Sequence, residues 1–270
     1  MHTNFYLAGL QLYIYNISTL VLKDLSDLSR KFGDNVLKAT TIFEKLITDK
    51  KEIEGLPYLT LSLAAEKAIS KGHENATAKY GPWIITLDEP CFLSVIKHAK
   101  NRKLRKEIYC AYRTRASSGE LDNTPIIDQI LKLRLEKAKL LGFNNYAEVS
   151  MASKMATLDQ AQELLEKLRN ACWDIANTDV QDLKDFCKRQ GALEADDFNS
   201  WDFMFWSERL RESKYEIYED NLRAYFPLPR VLDGLFELVN KLFGIHVEAA
   251  DGSMPVWHKD VRVFSVKEGS

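Results

Sequence analysis

The sequence predicts a mainly α-helical protein with a short β element near its C-terminus. Three observations carry that prediction. From about Leu25 onward, apolar residues recur at helical spacing. Several segments also carry explicit helix start and stop signals, and only after Gly244 does the apolar period change to two.

The elements can be justified in chain order. Phe5 to Leu22, FYLAGLQLYIYNISTLVL, holds no charged residue, but Gln11, Asn16, Ser18 and Thr19 interrupt it. No Lys or Arg precedes it and no clear small-residue cleavage site follows, so it reads as a buried helix or strand rather than a membrane segment or signal peptide. GLPYLTLS and YGPWIITLDEP are turn-rich and mark soft boundaries, as does Gly191 to Asn199. Leu104, Ile108 and Tyr112 form a helical stripe beneath the basic run Lys100 to Lys106, which reads as the solvated face of that helix. Thr124-Pro125 is an N-cap followed by a first-turn proline, opening a helix that runs to Gly142. Thr157 and Gln160 make a capping box, and the helix they open meets no Gly or Pro until Gly191, with a break allowed near Asn177 to Asp179.

The segment Ser200 to Pro229 is dense in aromatic residues. Trp201 and Phe205 lie one helical turn apart, while Phe203, Trp206 and Tyr215 read as packing between layers, with a peptide-lining groove as the alternative. Pro229 to Phe243 places Leu232, Leu235, Val239 and Leu242 on a core-facing stripe and stops at Gly244. Ile245 to Val247 and Val261 to Val266 then alternate as strands, and Lys267 to Ser270 reads as a turn. The last strand is expected to lack a partner, leaving an open edge.

Composition excludes several classes of partner. With 37 basic and 39 acidic side chains, the net charge of -2 implies neither nucleic acid nor an acidic membrane surface. Cys91, Cys110, Cys172 and Cys187 show no C-x-x-C spacing. Cys172 and Cys187 fall on one predicted helix about 22 Å apart, too far for a disulfide within it. A reducing compartment follows. Asn16-Ile17-Ser18 and Asn75-Ala76-Thr77 match the glycosylation pattern, which matters only in a secreted chain.

The chemical motifs are mostly negative. His73-Glu74-Asn75-Ala76-Thr77 matches the zinc-protease motif H-E-x-x-H except at its fifth position, where a threonine hydroxyl is a poor zinc donor. Gly72 also weakens the helix the motif requires, so the match reads as chance. No two of His2, His73, His98, His246 and His258 are three to five residues apart, and His246 and His258 read as hydrogen-bonded histidines. Ser117-Ser118-Gly119 reads as capping where a helix gives way to a turn, and the chain carries neither a G-x-S-x-G elbow nor a glycine-rich phosphate loop.

WDFMFWSERLRESKYEI, LRAYFPLPRVLDGLFELVNKLFGI and PVWHKDVRVFSV resemble the stretch ahead of the catalytic motif in the zinc metallo-oligopeptidases, most of all their plant oligopeptidase A-like branch. NTPIIDQILKLRLEKAKLLGFNNYAEVSMASKMAT, GPWIITLD and KFGDNVLKATTIFEKLITDKKEIEGLP extend the similarity back to about Lys31. The resemblance implies a helical lobe flanking a channel for short peptides. It implies three segments: a divergent apolar segment at 1–30, the helical N-terminal region at 31–256, and the start of a catalytic-domain β element at 257–270. The family's H-E-x-x-H lies downstream of the matched stretch, so HENAT inherits no zinc role, and no catalytic, metal or substrate-binding residue carries over. Zinc belongs to complete members and none is expected here. The chain is therefore expected to be a truncated member, inactive alone, with short peptides as partners and neither nucleic acid nor membrane. The alternative is a non-enzymatic module binding peptides or a full-length relative. The resemblance implies a cytoplasmic location, or a plastid or mitochondrion as in some relatives. Helices that would pack on the missing portion are expected to expose apolar stripes.

Overall fold

The computed structural model describes residues 2–218, 221–222 and 224–268, with side chains from Leu20 onward. Helices dominate: α1 (His2–Ile42), α2 (Tyr58–Ser70), α3 (Glu89–His98), α4 (Arg102–Arg113), α5 (Thr124–Leu140), α6 (Tyr146–Met151), α7 (Leu158–Arg189), α8 (Ser200–Tyr215) and α9 (Leu228–Phe243). Two antiparallel strand pairs complete the fold, β1 (Glu44–Ile47) with β2 (Trp83–Thr86) and β3 (Ile245–Ala249) with β4 (Phe264–Glu268). The chain divides into two compact units, Met1–Leu210 and Arg211–Ser270.

In the first unit, β1 and β2 pair in the register Glu44↔Thr86 to Ile47↔Trp83. This ladder is absent from the sequence reading, which took YGPWIITLDEP as a turn-rich boundary. The β-branched run Ile84-Ile85-Thr86 was the available signal. Trp83, Ile85 and Ile47 are fully buried against Ala68 of α2, Val95 and Ile96 of α3, and Leu104 and Ile108 of α4. The indole of Trp83 donates to the carbonyl of Ala78 at 3.2 Å, so its polar atom is satisfied inside the core. Gly81 turns the chain into β2 with φ +69°, and a Cβ there would sit 2.6 Å from the Trp83 ring.

α1 is continuous through the apolar start, so the strand alternative for Phe5 to Leu22 is replaced by helix; the side chains before Leu20 lie outside the described residues. Among the described residues no helix is long and apolar enough to cross a membrane. α1 packs on α5, where the buried Asn35 donates to Asn123 at 2.9 Å and Asn123 donates to the carbonyl of Phe32 at 3.1 Å. α5 begins as expected but its cap differs. Asp122, not Thr124, holds the start, accepting from the Thr124 amide at 2.9 Å and hydroxyl at 2.8 Å. The α7 capping box is present in full, and the helix runs unbroken through Asn177 to Asp179.

In the second unit, α9 ends at Gly244, whose φ of +66° a side chain would resist. The chain then enters β3. The expected partnerless strand is corrected: β4 begins at Phe264, runs through Lys267 and Glu268, and pairs with β3 from Ile245↔Glu268 to Ala249↔Phe264. Lys267 and Glu268 are thus strand rather than turn, while Gly269 and Ser270 lie outside the described residues. Phe236 of α9 meets Phe264 edge-on at 5.1 Å, and Leu232 and Val239 turn half-buried toward the same side. Leu235 and Leu242, expected in that core, are exposed instead, because the small hairpin covers only one edge of the stripe.

Replacing Gly81 by Ala combines left-handed strain with a ring clash and is expected to destabilise the first unit by about 1–3 kcal/mol, read as a lower urea midpoint.

Candidate functional site

The most concentrated buried chemistry lies where α4 meets α8. Asn101 caps α4 by accepting from the Leu104 amide at 3.2 Å, and this sets Arg102 and Arg105, one turn apart, on adjoining faces. Asp202 stands in the first turn of α8, where the helix dipole favours an anion. Its carboxylate is completely buried and takes both cations. Arg102 binds it as a fork, Nε to Oδ1 at 3.0 Å and Nη2 to Oδ2 at 2.8 Å, while Arg105 Nη2 donates to Oδ1 at 2.9 Å.

The surrounding groups complete the cluster. Arg105 Nη1 donates to the carbonyls of Ala99 at 2.9 Å and Lys100 at 3.2 Å, and Glu194 lies 3.5 Å from Nη2. Its guanidinium stacks over Phe205 at 4.1 Å. The Asn199 amide donates to Asp202 Oδ2 at 3.1 Å, and Asp197 stands 3.3 Å from Arg102. Hydrogen bonds to Asp202 hold Arg102 well above the ordinary guanidinium range, so this cation stays charged. Asn199 and then Arg102 hold the Asp197 carboxyl below its usual range. A carboxylate shared by two fixed cations is neither a base nor a nucleophile. It is a clamp joining two helices.

This corrects the reading of Lys100 to Lys106 as a solvated face at its arginines only, since Lys100, Lys103 and Lys106 are exposed as expected. Arg105 is fully buried, Arg102 is consumed by Asp202 and Asp197, and Lys100 pairs with Glu54 at 2.8 Å. The stripe Leu104–Ile108 is buried as expected, and Tyr112 stacks on Phe92 at 3.8 Å. Asp202 does not stand out in the sequence, because it lies among aromatic residues whose pattern indicates packing. The signal was there: two arginines at i, i+3 in one amphipathic helix and one acid within an apolar run. Of those aromatics, Phe205 and Trp206 are core, meeting edge-on at 5.3 Å, and Trp201 faces Tyr109 at 6.2 Å. Phe203 and Tyr215 are exposed, against expectation.

The HENAT segment is not helical. His73 follows the end of α2, its amide bonded to Ala68, and Thr77 bridges to Gly81 in a tight turn. His73 and Thr77 therefore do not share the helical face a zinc pair needs. His246 lies beside Asn240 Nδ2 at 3.2 Å, and His258 accepts from the Asp260 amide at 3.2 Å. Ser117 caps α4 by donating to the Thr114 carbonyl at 2.7 Å. Among the described residues no three of His, Cys, Asp and Glu converge to hold a metal ion. The described residues thus do not fit the zinc that the resemblance assigns to complete family members.

Two further features bear on binding and reactivity. A cleft of about 420 Å³ lies between α1 and α4, lined by Phe32, Val36, Leu37 and Tyr112, with Glu89 and Arg115 as its charged groups. Arg115 is anchored there by bonds to the Tyr112 carbonyl and the Thr40 hydroxyl, both 2.8 Å. Cys187 is buried beneath the clamp, and burial pushes its thiol up to about 11, whereas Cys110 and Cys172 are exposed.

Residues 95–270 match peptidase family M3. The chain is 67% identical over 248 residues to the organellar oligopeptidase A, chloroplastic/mitochondrial, of Arabidopsis thaliana, covering 92% of this chain and 31% of that relative. It is 66% identical over 248 residues to a probable cytosolic oligopeptidase A of the same plant, covering 92% and 35%. Against the oligopeptidase A of Haemophilus influenzae it is 39% identical over 252 residues, covering 91% and 36%. The chain spans about a third of the length of these curated relatives.

Two outcomes are expected. Asp202→Ala takes from the buried Arg105 its closest carboxylate, leaving Glu194 at 3.5 Å, and leaves the part-exposed Arg102 with Asp197 alone, at a cost of about 3–5 kcal/mol in urea unfolding. In native labelling with a maleimide, Cys110 and Cys172 react while Cys187 stays protected until the chain unfolds.

Proposed function

This chain belongs to peptidase family M3, and from that premise we propose that it is the helical framework portion of an oligopeptidase A-like zinc metallopeptidase, a type of enzyme that hydrolyses short peptides. The observation that supports this most is the 67% identity to an oligopeptidase A across 92% of the chain. Identity of that extent carries the packing of α4, α8 and the elements between them, which is what the portion in hand contributes. Its own residues offer a rigid wall, secured by Asp202, and supply no metal-binding set among those described. Without a metal to acidify it, water near neutral pH supplies almost no hydroxide for attack on a peptide carbonyl. Hydrolysis is thus assigned to the enzyme as a whole and not to this portion. The location proposed is cytoplasmic, with plastid or mitochondrion as the alternative.

A second reading is a non-enzymatic module that binds peptides. The cleft between α1 and α4 favours it, because apolar walls with one acid and one cation suit a short peptide with an apolar side chain.

Purified chain supplied with zinc is expected to leave quenched-fluorescence short peptides intact. Joining it in frame to the remaining portion of the Arabidopsis organellar relative is expected to restore turnover that a chelator abolishes. Chelator-sensitive turnover by the chain alone, or none from a well-folded joined chain, would overturn the first reading. Saturable peptide binding lost on Arg115→Ala would support the second.

A further inference from the structure

The cleft between α1 and α4 holds two opposite charges that do not meet. Arg115 is fixed from three sides: Nε donates to the Tyr112 carbonyl and Nη1 to the Thr40 hydroxyl, both at 2.8 Å, and the guanidinium lies over the Tyr112 ring at 3.5 Å. Its Nη2 has no hydrogen-bond partner, and Arg115 pairs with no carboxylate, among the described residues. Glu89, in the first turn of α3, lines the same cleft and likewise forms no ion pair among them. The lining around both is apolar, with Phe32, Leu37 and Leu87 as its larger members. A guanidinium already held in one geometry loses little freedom on taking a carboxylate, and the fork of a carboxylate matches it.

Gly33 points the same way independently. It lies inside α1, where glycine is less favourable than alanine. Its φ is not left-handed and a Cβ there would meet nothing within 4 Å, so neither backbone conformation nor packing calls for it. What the missing side chain leaves is open floor of the cleft. At about 420 Å³ the cleft falls near the lower end of the roughly 300–1,000 Å³ of small-molecule sites, which suits a small ligand.

We infer that this cleft is a binding site for a small apolar zwitterion, an amino acid or dipeptide whose free carboxylate lies on Arg115, whose ammonium lies on Glu89, and whose side chain lies against the apolar lining. The inference rests on the second reading above, in which the cleft binds peptides, and deepens it by naming both ends of the ligand. Free leucine and leucyl-leucine share this chemistry, and separate titrations tell the two sources apart.

The purified chain is titrated calorimetrically with each, and with the amide and the N-acetyl form of each. At least one free ligand is expected to saturate the chain, and blocking either of its ends to weaken binding roughly tenfold or more. Arg115→Gln is expected to erase the effect of amidation and Glu89→Gln that of acetylation, so that each variant is blind to one end only. Because Arg115→Gln also gives up the contacts to Thr40 and Tyr112, Gly33→Leu serves as a second variant. It fills the cleft floor and is expected to abolish binding without lowering the urea midpoint.

Equal binding of leucyl-leucine and its doubly blocked form overturns the inference and leaves the peptide-binding reading standing. Leucine bound with both end effects, and no dipeptide bound, does the reverse. Undiminished binding in Gly33→Leu places the ligand elsewhere and overturns the inference, as does the absence of saturable binding to a cooperatively unfolding chain. If the chain alone does not unfold cooperatively, the same titrations are made on the chain joined to the remainder of the Arabidopsis organellar relative, where absence of binding counts against the inference equally.

Discussion

The buried carboxylate of Asp202 is the constraint on which the first unit depends. An ionised carboxylate taken out of water is costly unless nearly every lone pair is met by a donor. Here two guanidinium groups and the Asn199 amide meet it, all within 3.2 Å at their nearest approach. Satisfying that group fixes the position of α8 on α4. Because Arg105 also holds the carbonyls of Ala99 and Lys100, the same contact secures the turn between α3 and α4. A local charge requirement thus becomes a relation between segments about a hundred residues apart.

The core built around Trp83 is of a different kind. It relies on area and shape, with the β1–β2 ladder roofed by α2, α3 and α4, and its polar demands are met locally by turns. The second unit is smaller and buries much less. Its hairpin satisfies the backbone of both strands, yet it covers only one side of α9, so large side chains such as Leu235 and Leu242 stay in water. Helical content alone does not make a core. What matters is how many apolar faces find a partner.

That distinction bears on function. The clamp, the Trp83 core and the capped helices are devices for rigidity, which is what the framework role proposed above requires.

Sequence by itself determined the helical class, the capping box at Thr157 and the stop at Gly244, because caps, periodicity and left-handed glycines act within a few residues of one another, whereas the unbroken course of α7 through Asn177 to Asp179 was decided by the structure. It also carried the family resemblance, which rests on long segments in order. Of the site, Arg102 and Arg105 were visible only as charge. Burial of Arg105, the role of Asp202, the β1–β2 ladder and the pairing of β4 with β3 were decided by tertiary structure. Each needs a partner far along the chain, 97 residues away for Arg105 and Asp202, and no local pattern says which distant group will arrive. The exposed faces of α7 and α9 follow from the same cause: an amphipathic stripe announces that something packs on it, and only the assembled chain decides whether that surface is present.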